Sequence, residues 1–157
     1  MGERPDEVLS LDVPCDPEAP AIVRSELARH EGLGWIIGDV ILVASELVTN
    51  AVLHSGCAPE HLIHVTATVQ SDCLTIRVED PGVAAASAFP QWISEFTDAG
   101  AGLMIVDQLV DRWGAERDGG YRVWAELALH PAHAPAAGES TSVGAYHRAR
   151  RTGDRLV

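Results

Sequence analysis

The chain contains no lysine: all eleven of its basic residues are arginine. A phosphate-binding loop ending in Gly-Lys-Ser/Thr is therefore excluded. Basic charge is scarce altogether, and the formal net charge is -12. Residues 131 to 157 hold Arg148, Arg150, Arg151 and Arg155 against Glu139 and Asp154, so residues 1 to 130 carry a net -14. Such a body repels a nucleic-acid backbone. It favours a protein partner with basic patches, and it also serves solubility. Aromatic residues make up only 5% of the chain, which points to an aliphatic core rather than a base-stacking surface. Cysteine is limited to Cys15, Cys57 and Cys73, which form no close pair and lack zinc-site spacing. A reduced, cytoplasmic chain is the expectation. The N-terminus shows no basic-then-apolar pattern, and the apolar stretch from Trp35 to Ala44 is broken by Asp39. Neither an export signal nor a membrane segment is expected.

What is present suits one globular domain. The length of 157 residues supports a single full core, and the 46% hydrophobic share is ordinary for a folded chain. Val8 to Val13 alternates weakly before Pro14, as an edge strand does. Asp16-Pro17-Glu18 reads as a helix start, with Asp16 as N-cap, and that helix is expected to end near His30 to Gly34. Ile36 to about His54 carries the strongest helical pattern, stopped by Ser55-Gly56 and Pro59. Leu62 to Val69 and Leu74 to Val78 alternate around Ser71-Asp72, which predicts a hairpin. A connector with a short helix near Trp92 to Phe96 leads to a helix opened by Gly100-Ala101-Gly102. Its apolar positions are Leu103, Ile105, Val106, Leu109 and Val110. One or two strands close the pattern after Trp113. Helices grouped against a mainly antiparallel sheet predict an α+β, two-layer sandwich over residues 1–130. Residues 131–157 show no core pattern and read as a flexible C-terminal tail.

Three constellations carry chemistry. On the long helix Glu46, Asn50 and His54 fall within about 80° of one another, opposite Ile37, Ile41, Ala44, Leu47, Val48, Ala51 and Val52. Such a stripe serves either as the solvent face of an amphipathic helix or as a polar site. In the second case the carboxylate orients a water or hydroxyl, and the amide oxygen joins a hydrated magnesium ion. Asp80-Pro81-Gly82 follows a strand rich in branched residues. Its carboxylate can accept a hydrogen bond from an exocyclic amine, and Gly82 lets the backbone approach a flat ring; the same tripeptide is also a common turn. Gly100-Ala101-Gly102-Leu103 leads into a helix whose N-terminal amides and dipole suit an anion such as phosphate.

Taken in order, Glu46-Leu-Val-Thr-Asn50-Ala-Val-Leu-His54, Asp80-Pro-Gly82 and Gly100-Ala-Gly-Leu-Met-Ile-Val106 resemble the asparagine box and two glycine boxes of the gyrase, histidine kinase and MutL-type ATPase superfamily. The likeness is greatest to actinobacterial anti-sigma-factor serine/threonine protein kinases. It spans roughly residues 8 to 129, and Asp111-Arg-Trp-Gly114 and Val123-Trp-Ala-Glu-Leu127 look like that family's last helix and strand. The resemblance implies a Bergerat-type fold that binds ATP and magnesium. Asn50 would coordinate the metal, Glu46 would act as general base, Asp80 would recognise adenine, and Gly82, Gly100, Gly102 and Leu103 would shape the pocket and phosphate lid. His54 matches a family position that serves either the pocket or the helix end. The resemblance further implies phosphorylation of a serine on an antagonist protein and control of a sigma factor, while the acidic charge and the lack of a membrane segment predict no direct contact with nucleic acid or membrane. The resemblance leaves a homodimer open.

Two departures shape the alternatives. Relatives commonly carry a Lys-Thr pair before the final Val-Trp, with the Thr near adenine; here Tyr121 and Arg122 stand there. The connector Val83 to Ala99 contains no Lys, Arg or Gly, although phosphoryl transfer leans on such charges. A non-catalytic nucleotide-binding partner-switch module is therefore the second reading. The catalytic piece of a histidine kinase has less support, because His30 lacks a long paired-helix setting. A metal hydrolase has little, because the seven His form no zinc-helix motif.

Overall fold

The computed structural model describes residues 4–80, 101–117 and 120–129. Strand β1 (Asp6–Pro14) is followed by α1 (Ala19–Ala28), a 3-10 segment (Glu31–Ile36) and α2 (Ile37–His54). The hairpin β2 (Leu62–Gln70) and β3 (Cys73–Asp80) comes next. Helix α3 (Ala101–Leu109) and strands β4 (Arg112–Arg117) and β5 (Tyr121–Ala128) complete the described elements. The five strands form one sheet in the order β1-β2-β3-β5-β4, and every neighbouring pair is antiparallel. The α+β sandwich expected from the sequence is therefore the observed architecture.

Register explains how period-two alternation makes one face dry. Val65 lies opposite Val78, and Val78 opposite Val123; Ala67, Ile76 and Ala125 form the next row, and Val69, Leu74 and Leu127 the one after. Nearly all of these side chains are buried. The alternate rows are polar: His64, Glu79 and Arg122; Thr66, Arg77 and Trp124; Thr68, Thr75 and Glu126. Because opposed residues on antiparallel strands share a face, the helices cover the first set and leave the second on the open side.

Helix α2 is the centre of the helical layer, packing against α1, α3, β2 and β3. Val40, Val43, Ala44, Leu47, Val48 and Ala51 are all buried, a broad apolar arc that explains why so hydrophobic a helix is stable in this position. The segment Glu31–Leu53 has the length and hydropathy of a membrane span, but half of it is buried inside the fold, where it serves as the core helix.

Two local expectations are corrected. Helix α1 begins at Ala19, with Glu18 as an N-cap that makes no side-chain capping bond and Pro20 in the first turn. Asp16 acts one step earlier: its Oδ1 accepts the Glu18 amide at 2.8 Å, an Asx turn that starts the approach to the helix. Second, Asp111-Arg-Trp-Gly114 does not lie in a helix. Arg112 to Gly114 begins β4 and pairs with Glu126, Ala125 and Trp124, so the alternate positions of this run answer the sheet rather than a helix face. Gly34, with φ +48°, supplies the left-handed step inside the 3-10 segment before α2. The suggested helix near Trp92 to Phe96 and the tail 131–157 lie outside the described residues.

Candidate nucleotide site

The site is built where α3 packs on α2, a helix that also packs against β3. Asn50 occupies the buried side of α2 and is 6% exposed, whereas Glu46, one turn earlier, is half-buried. The stripe inferred from the sequence is therefore no simple solvent face. Asn50 Nδ2 is buried and makes no hydrogen bond among the described residues. Leaving such a group unpaired costs about 1–3 kcal/mol, so its retention fits a position that gains a partner from a ligand. The two ends of an Asn amide are assigned rather than seen; either assignment leaves one polar end of Asn50 facing this junction.

Helix α3 brings the second glycine box to the same place. A Cβ built on Gly102 would overlap Glu46 Oε2 and lie 3.4 Å from Glu46 Cδ and 3.9 Å from Asn50 Nδ2. Glycine lets the α3 backbone approach the Glu46 carboxylate closely, and any side chain here would have to displace that carboxylate. Helix α3 spans nine residues, and the positive end of its dipole favours the neighbouring carboxylate and any anion held beside it. Leu103 is fully buried in the core, which anchors α3 so that Gly102 keeps this position.

Asp80 ends β3 on the helix-covered side, in the same alternating series as Leu74, Ile76 and Val78, and is only 7% exposed. A buried carboxylate at a strand end is an acceptor suited to reading an exocyclic amine, which donates to it. His54 is the last residue of α2. Gly82 and Gly100 lie outside the described residues.

Arg122 does not enter this site. It pairs with Glu79 across β3 and β5, on the open face of the sheet, while the position opposite Asp80 belongs to Tyr121. A one-residue step along a strand changes faces, so Arg122 is turned away from Asp80.

The model of the histidine kinase-like ATPase domain family matches residues 14–126. The chain belongs to this family. No curated protein matches the chain. As a histidine kinase-like ATPase domain, it is an ATP-binding domain, and the residues at the junction fit that ligand. Asn50 offers a buried amide, Glu46 a carboxylate, and Gly102 a backbone approach to both. Among the described residues no group of three His, Cys, Asp or Glu could hold a metal by itself. Magnesium in nucleotide sites commonly combines few protein ligands with phosphate oxygens and water, and Asn50 is the residue here that would supply such a ligand.

Two features were not legible beforehand. Arg24 of α1 donates from Nη1 to Ser45 Oγ at 3.3 Å, bracing the residue before Glu46; nothing in the sequence distinguishes Arg24 from any exposed helix arginine. Cys15 and Cys57 form a disulfide, with Cα atoms 6.1 Å apart, which overturns the expectation of three unpaired thiols. Their sequence separation is 42, so no spacing rule could have paired them. Only the return of the chain from α2 into β2, alongside β1, does so.

Proposed function

We propose that this chain is a cytoplasmic ATP-binding regulatory protein, an anti-sigma factor that phosphorylates a serine of an antagonist protein. The observation that supports this reading most is the seating of Gly102 against Glu46 and Asn50. It joins a candidate base to a candidate magnesium ligand beside a helix N-terminus. In the proposed reaction Glu46 accepts the proton of the antagonist's serine hydroxyl, the serine oxygen attacks the γ-phosphorus of ATP, and ADP leaves. Asn50 would hold magnesium, which when bound would neutralise phosphate charge. Asp80 reads the adenine amine.

The acidic body supports a protein partner with basic patches, such as a sigma factor, over direct contact with nucleic acid. A second reading has a specific observation behind it: the connector Val83 to Ala99 supplies no basic side chain. In that case nucleotide sets the shape of a partner-switch module without turnover. Incubation with radiolabelled ATP, magnesium and candidate antagonists separates the two. Labelled serine, lost in Glu46→Gln, is the expected result. Nucleotide binding without labelled serine would overturn the kinase reading in favour of the second.

A further inference from the structure

Cys15 directly follows β1 and is 4% exposed, whereas Cys57, in the loop between α2 and β2, is partly exposed. Their bond joins the end of the first strand to the exit of the helix that carries Glu46 and Asn50. The loop is coupled to that helix by short local contacts. The Ser55 amide donates to the Ala51 carbonyl at 3.1 Å, closing the last turn of α2. The Cys57 amide donates to Ser55 Oγ at 3.2 Å, and Cys57 Sγ lies 3.7 Å from that same Ala51 carbonyl oxygen. Beyond it, the Ala58 amide donates to His61 Nδ1 at 3.0 Å and the Cys15 amide to the His61 carbonyl at 3.0 Å. Ala51 is the residue after Asn50. One sulfur of the pair thus sits against the backbone beside the candidate magnesium ligand.

We propose that Cys15 and Cys57 form a redox latch on the nucleotide site, an inference that rests on the ATP-binding reading for its functional output. Paired cysteines in a reducing compartment are commonly transient or redox-sensing. Of the two, Cys57 is the partly exposed residue, and its Sγ is the sulfur proposed to be attacked by the thiolate of a low-molecular-weight thiol such as glutathione. The Cys15–Cys57 bond breaks, Cys15 leaves as a thiolate and takes up a proton, and a mixed disulfide remains on Cys57. A second thiolate attacks the glutathione sulfur of that mixed disulfide, so Cys57 leaves and is protonated in turn, and glutathione disulfide is released. Two electrons pass from two glutathione thiols to the protein. Once reduced, the Cys57 thiol can donate to the Ala51 carbonyl and compete with the Ser55 amide, while the covalent tie to β1 is gone. The end of α2 loosens and nucleotide binding weakens.

The test compares wild type equilibrated with glutathione disulfide and with excess glutathione, the bond being scored by alkylation and mass spectrometry. Hydrogen exchange over residues 51 to 61 and titration with a fluorescent ATP analogue plus magnesium are the two readouts. Reduction is expected to speed exchange and to weaken analogue binding about fivefold, the low end of coupling between sites. Cys15→Ala and Cys57→Ala should behave as reduced wild type in both buffers, and Cys73→Ala should respond as wild type does. A bond that forms and breaks with unchanged exchange and unchanged affinity would overturn the latch and leave the nucleotide reading intact. Failure of the thiols to pair with glutathione disulfide would overturn it too. Redox-dependent exchange with no analogue bound in either state would support the latch as a structural device and count against the ATP reading.

Discussion

Gly102→Ala separates the stability of this fold from the chemistry proposed for it. The added methyl must occupy space held by Glu46 Oε2. That atom ends a flexible, half-buried side chain, so the carboxylate can move aside at roughly 0.5–1.5 kcal/mol of rotamer strain. Alanine returns part of the ~1 kcal/mol by which glycine disfavours a helix interior, only part because Gly102 is the second residue of α3. Net stability should stay within about 1 kcal/mol of wild type, a shift of no more than roughly 2–4 °C in Tm for a chain of this length. Function should not survive so well. Displacement of the carboxylate by about an ångström is enough to lower a positioned reaction rate on the order of 100-fold. Thermal melts and serine-phosphorylation rates on the same preparations make the comparison. A folded variant that phosphorylates at the wild-type rate would refute the role given to the Gly102–Glu46 contact. A stability loss well beyond 2 kcal/mol would show instead that Glu46 is locked in place, contrary to the packing described above.

Removing the disulfide, which closes a loop across a sequence separation of 42, should lower stability by ~4 kcal/mol on the chain-entropy account; urea titration of wild type with and without reductant checks this. Leu47→Ala, at a position 1% exposed between the helical and sheet layers, should cost about 2–5 kcal/mol, measurable by the same titration. Burial, and then the negative charge of Glu126, push the Cys73 thiol above its ordinary value of 9.0. Cys73 in the native protein should therefore alkylate more slowly near pH 9 than a free thiol. The linkage has a definite sign: the contribution is fully present below the unfolded value and is lost as pH rises from there through the raised folded value. Cys73→Ser should flatten that alkaline decline in a pH series of melts.

The fold was readable where one periodicity dominates. The hairpin from Leu62 to Asp80 alternates without interruption, and α2 carries a continuous apolar arc that only a helix presents to one side. The errors fall where short segments lack such a pattern. Asp16 and Pro17 have the chemistry of a helix start, but Pro20 is equally suited to a first turn and the chain uses it. Arg112 to Gly114 is too short to declare its period and becomes a strand because β5 offers an open edge. At the site, the sequence marks Glu46, Asn50, Asp80 and Gly102 as polar or small residues in suggestive places. The approach of Gly102 to Glu46 and Asn50 depends on helix packing between segments some fifty residues apart. The face of Arg122 depended on register, which a sequence does not state when the turn before β5 is undecided. The cysteine pair was hidden for the same reason, since contact between Cys15 and Cys57 exists only after β1 and β2 pair.

Binding of ATP with magnesium to wild type and to Asn50→Ala, measured by calorimetry on samples shown by thermal melting to be folded, tests the central claim most directly. Among the described residues Asn50 leaves a polar atom buried without a partner, so its removal should cost the fold little while weakening magnesium-dependent ATP binding by tenfold or more, a difference of at least about 1.4 kcal/mol. Equal affinity in the two proteins, or no binding by folded wild type, would contradict the assignment of this junction as the nucleotide site.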